Sequence, residues 1–144
     1  SAPQWKLSLN IKFPTNSRPG RWAGVAIMTT DFALNNDLAP NKPLHGYHIL
    51  FLNTGGFSIY RYDGGAPTLL KSNPGKLSTE GETIPYTIDI SPTQITVSRV
   101  DGKSSLVIDD ATYRGSYVTF GAKGQVAEFS DVKVTAPAPK KDAP

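Results

Sequence analysis

The 144-residue chain contains no cysteine, which removes disulfide frameworks, zinc–thiolate centres, iron–sulfur clusters and thiol nucleophiles at one stroke. Charge is sparse as well: Asp, Glu, Lys and Arg together make up 19% of the residues, and glutamate occurs only as Glu80, Glu82 and Glu128. No apolar run reaches the roughly 18–20 residues of a membrane-spanning helix, so no membrane span is expected. The net charge of +3 is spread over single basic residues, with Lys140 and Lys141 the one adjacent pair. Nucleic acid is therefore not an expected partner, because its recognition draws on basic residues clustered on one face. Neither a phosphate-binding glycine loop nor a nucleophile-elbow motif occurs.

Turn-formers and alternation are abundant instead. Thirteen glycines and 12 prolines punctuate the chain, and the stretches between them follow a two-residue rhythm. From Trp5 to Phe13, the residues Trp5, Leu7, Leu9, Ile11 and Phe13 point one way and Lys6, Ser8, Asn10 and Lys12 the other, the pattern of a half-buried strand. Residues 22–29 are apolar or small on both faces, which predicts a central strand. Further strands are predicted over 47–52, 57–62, 68–71, 83–90, 95–100, 106–108, 117–120 and 126–134. Turns are expected at Asn53-Thr54-Gly55-Gly56, Asp63-Gly64-Gly65 and Asp101-Gly102, and residues 72–82 read as a connection. Ten short strands without a helical period define an all-β antiparallel sandwich or barrel. Residues 1–135 are expected to form one domain, and the Pro/Ala/Lys-rich segment 136–144 a flexible tail or linker to other domains of a parent protein.

The run from Gly46 to Tyr62, the strand Tyr86–Ile90, the hairpin Val97–Gly102 and the closing Phe129–Val134 occur in an order that resembles the concanavalin A-like lectin/glucanase jelly roll, in its laminin-G-like form. The resemblance spans roughly residues 5–134 and implies a carbohydrate-binding or accessory role in an extracellular or periplasmic protein. Such domains usually open with a strand ahead of the equivalent of Trp5. The short N-terminal segment here leads to the expectation of an unpaired edge beside the last strand, open to a strand from another chain. The resemblance also implies a rim calcium ion, for which Asp31, Asn35, Asn36 and Asp37 in the irregular 31–44 stretch are the local candidates.

Enzymes of this fold need two carboxylates across one glycosidic bond. Glu80 and Glu82 stand in a polar connection, and the adjacent Asp109 and Asp110 finish a strand and begin a turn, so no catalytic pair is assigned. A glycoside-acting enzyme related to keto-disaccharide hydrolases and an assembly domain pairing through an open edge remain the alternatives. A spacing of three puts His45 and His48 on opposite faces of a strand, which does not suit a shared metal ion. Sugars are gripped by aromatic rings against their C–H faces and by polar groups around their hydroxyls. On that chemistry the expected binding residues for an oligosaccharide or polysaccharide are Trp22, Tyr47, His48, Tyr60, Arg61 and Tyr62, with Phe57 and Ile59 on the core side.

Overall fold

The computed structural model describes residues 5–14, 22–29, 45–64, 66–75, 81–115, 117–123 and 127–135. The calcium candidates Asp31, Asn35, Asn36 and Asp37, the carboxylate Glu80 and the 136–144 segment lie outside these residues.

Ten strands follow one another: β1 (Trp5–Lys12), β2 (Trp22–Thr29), β3 (His45–Leu52), β4 (Gly55–Asp63), β5 (Pro67–Gly75), β6 (Thr83–Ile90), β7 (Ile95–Arg99), β8 (Ser105–Ile108), β9 (Tyr117–Lys123) and β10 (Glu128–Thr135). They form two antiparallel five-stranded sheets, ordered β10-β1-β6-β7-β8 and β5-β4-β3-β2-β9. Each predicted strand is present. Several run further than alternation suggested: β3 begins at His45, and β4 begins at Gly55 and so takes in the two glycines of the expected turn. β5 continues through Ser72, Asn73 and Gly75, which pair with Ser58, Phe57 and Gly55, and β9 continues through Gly121, Ala122 and Lys123, which pair with Gly24, Ala23 and Trp22. Both are edge strands, where ladder bonds to a neighbour hold polar and glycine residues in extended form without hydrophobic alternation.

The core lies between the sheets. Leu7, Leu9, Ile11, Ile84, Tyr86, Ile88 and Val97 approach it from one sheet, and Val25, Ile27, Tyr47, Ile49, Phe51, Phe57 and Ile59 from the other. Phe51 and Tyr86 join the layers with ring centroids 4.5 Å apart. Full burial of each such side chain contributes about 1.5–3 kcal/mol. Along one flank β5 meets β8, where Asn73 donates to the Ser104 hydroxyl. Along the other, Phe120 of β9 packs against Phe129 of β10 at 5.3 Å. The edge strand β10 carries a bulge against β1 between Ser8 and Asn10, with Asp131 at a φ of 49° and its carboxylate accepting from Asn10 Nδ2 at 3.0 Å. A bulge of this kind twists an edge away from further pairing.

Candidate functional site

Alternation along β2, β3 and β4 sends one residue class into the core and the other onto the outer face of the sheet β5-β4-β3-β2-β9. Register then assembles that outer face from distant parts of the chain. One row runs Ala26, His48, Tyr60, Leu69, and the next runs Gly24, Leu50, Ser58, Ser72. Ser58 and Ser72 share a hydrogen bond of 2.9 Å. Trp22 and Tyr62 stand at opposite ends of this patch.

His48 is the centre of it. Its ring meets Trp22 at 5.4 Å and 82°, and Tyr62 at 6.1 Å and 64°, both edge-on. Although it points outward, the side chain is only 5% exposed. Space for it comes from Gly24: a Cβ there would stand 2.3 Å from His48 Nε2 and 2.8 Å from Trp22 Cζ3, so only glycine lets the imidazole lie across β2. Burial favours the uncharged ring and lowers its pKa from 6.5 to about 4. Burial likewise raises the Tyr62 phenol, helped by neighbouring Tyr60. Among the described residues no hydrogen-bond partner serves His48, and its nitrogens are not sealed from solvent as Arg99 Nε is. The face therefore presents a neutral donor–acceptor ring walled by aromatic surface, and among the described residues it bears no carboxylate.

Of the six expected binding residues, the structure brings Trp22, His48, Tyr60 and Tyr62 together on this face. Tyr47 corrects the expectation. It shares the inward class with Ile49 and Phe51, is fully buried, and donates its hydroxyl to Asp110. No ligand can lie against a ring inside the sandwich. Arg61 also belongs to the inward class, at the end of β4, where it binds Asp110 through Nη1 and Asp63 through Nε at 3.1 Å. It is a brace at the rim, with both carboxylates engaged.

That brace includes residues the sequence did not single out together. Asp110 accepts from Tyr47, Arg61 and the Thr112 backbone N–H, and Tyr113 donates to Asp63 at 2.6 Å. Burial alone would raise the Asp110 carboxyl, but the bonds from Tyr47, Thr112 and Arg61 outweigh it and bring the pKa down to about 2. The network ties the turn after β8 to β3 and β4. Its one sequence signal is Arg61 falling on an apolar parity, which demands a buried acidic partner. His45 sits on the far side from His48, its ring 5.9 Å from Tyr113, so the two imidazoles serve different environments. Glu82 and Glu128 are both exposed and lie at the same end of one sheet with β1 between them, since Glu128 pairs with Lys12 and so does Thr83, the neighbour of Glu82.

No family model matches this sequence, and no curated protein matches it significantly. Solved structures do. The carbohydrate binding module CBM66 from Bacillus subtilis aligns over 93% of this chain and 77% of its own, at a TM-score of 0.63 and 15% identity. The ancestral congerin Con-anc aligns over 92% of this chain and 90% of its own, at a TM-score of 0.60 and 11% identity. Ligand-free congerin I covers the same shares, at a TM-score of 0.56 and 13% identity. The chain thus shares the jelly-roll β-sandwich fold of these structures.

Proposed function

We propose that this chain is a non-catalytic carbohydrate-binding domain that takes an oligosaccharide or polysaccharide on the outer face of the sheet β5-β4-β3-β2-β9, as an accessory part of an extracellular or periplasmic protein. The observation that carries this reading is His48, a largely buried neutral imidazole with no hydrogen-bond partner among the described residues, flanked by Trp22 and Tyr62 and paired across the strands with Tyr60. The nitrogens of His48 keep contact with solvent, so a ligand hydroxyl can bond to them in place of water. Aromatic walls suit the C–H faces of a pyranose or furanose. The fold shared with a carbohydrate binding module supports the same reading, as does the lack of a carboxylate pair on the face among the described residues.

Affinity gel electrophoresis against a panel of polysaccharides tests it. At least one glycan should retard the protein, and His48→Ala, Tyr60→Ala and Tyr62→Ala should each abolish the retardation while leaving the circular dichroism spectrum β-rich. Free migration in every gel would remove the proposal. Release of reducing sugar from a retarding glycan would replace binding with hydrolysis.

A further inference from the structure

A cavity lies away from that face, between the sheets at the end where β1 begins and β2 and β6 finish. It measures about 210 Å³ and is walled by Leu7, Ile27, Met28 and Ile90, with Trp5, Val118 and Val134 at its mouth. These last three are among the most exposed large apolar side chains of the protein, at 40%, 36% and 54%. A neighbouring hollow of about 260 Å³ shares Trp5, Met28 and Ile90 and extends to Ser91, Pro92 and Arg114. Dry apolar cavities on the order of 150 Å³ already admit a benzene-sized guest. The slot therefore has room for one ring or a short alkyl chain.

The charge beside the slot and the adjoining hollow selects among such guests. Lys6 stands opposite Asp89 in the ladder between β1 and β6, so its charge has a counterpart. Arg114 does not. Its guanidinium donates to three backbone carbonyls, those of Ser91, Tyr113 and Asp110, and forms no ion pair with a carboxylate among the described residues. The Asp110 carboxylate beside it is taken up by Tyr47, Arg61 and Thr112. Three of its five N–H donors serve those carbonyls and Tyr47 takes a further bond, its ring 5.9 Å from the guanidinium carbon, so the remaining donor capacity is what an anion in the neighbouring hollow would use.

We propose that this slot and the adjoining hollow together bind an amphiphilic anion, its alkyl or aryl part in the slot between Ile27, Ile90 and Val118 and its carboxylate in the hollow at Arg114. The site shares no residue with the glycan face, so either can fail without the other. Titration of the whole protein with decanoate, below its micelle concentration, tests the inference through Trp5 fluorescence in a Trp22→Phe background. The expected result is a saturable blue shift, with decyltrimethylammonium binding several-fold more weakly. Arg114→Lys should retain the preference for the anion, and Arg114→Gln should erase it. Val118→Phe changes a half-exposed position, fills the slot from its mouth and should abolish the response, with an unchanged melting temperature as the check on folding. A response equal for both head groups, an unsaturable one, or one that survives Val118→Phe would overturn the proposal.

Discussion

Gly24 of β2 and His48 of β3 occupy one space: the hydrogen on the glycine Cα leaves room for an imidazole nitrogen that would otherwise be 2.3 Å from a methyl carbon. Gly24→Ala should therefore push His48 and Trp22 off the strand. Overpacking of this kind costs about 1–3 kcal/mol. The variant should melt at a lower temperature and lose glycan retardation, while His48→Ala combined with Gly24→Ala should recover the stability and not the binding.

His48 also makes the fold acid-sensitive. The unfolded chain protonates this ring near 6.5, whereas burial holds the folded value at about 4. Between those limits the unfolded state binds the extra proton, so stability is full above the upper value and declines as pH falls through the window. The shift corresponds to at most about 3 kcal/mol. Urea unfolding at about pH 7 and about pH 4.5 should show most of that loss, and His48→Gln should flatten it. Identical pH slopes for the two proteins would mean the ring is not buried as a neutral group.

Asp110 works in the opposite sense. Its carboxyl is held at about 2 against an ordinary 3.8, so its contribution is present above the ordinary value and disappears as pH falls towards 2. Asp110→Asn should cost about 1–3 kcal/mol near neutral pH, because Arg61 and Tyr47 lose their acceptor. Tyr47→Phe should cost about 1 kcal/mol. Since the two share one hydrogen bond, the double variant should lose less than the separate losses combined, as a double-mutant cycle in chemical denaturation would record.

The core pair Phe51 and Tyr86 offers a contrast within one contact. Phe51 is fully buried, and Phe51→Ala should cost about 3–5 kcal/mol through lost transfer energy and the cavity left behind. Tyr86 is nearly as buried, and its burial raises the phenol to about 12. Its hydroxyl makes no hydrogen bond among the described residues, so Tyr86→Phe should change the urea midpoint little. A large loss for Tyr86→Phe would reveal a bond on that oxygen.

Much of this architecture is written in side-chain parity. Along Trp5–Phe13 or Thr83–Ile90 every second residue is apolar, and a strand whose alternate residues are apolar has one way to hide them from water. Parity also separates Ser58, Tyr60 and Tyr62 from Phe57 and Ile59, and His45 from His48. The same parity places Tyr47 in one class with Ile49 and Phe51. The structure follows that position, burying the Tyr47 ring and bonding its oxygen to Asp110, so it is not a ligand contact.

The order of apolar and polar residues thus determined by itself that this chain forms paired β layers and which side chains turn away from the core. Only the tertiary structure decided which of those become neighbours. Gly24, His48 and Tyr60 come from three strands, and Arg61, Asp110 and Tyr113 from the end of β4 and the turn after β8. The reason is physical: alternation is a local property of one strand, whereas a site is made by register between strands, and register is settled only when the sheets pack and each buried polar group finds or lacks its partner.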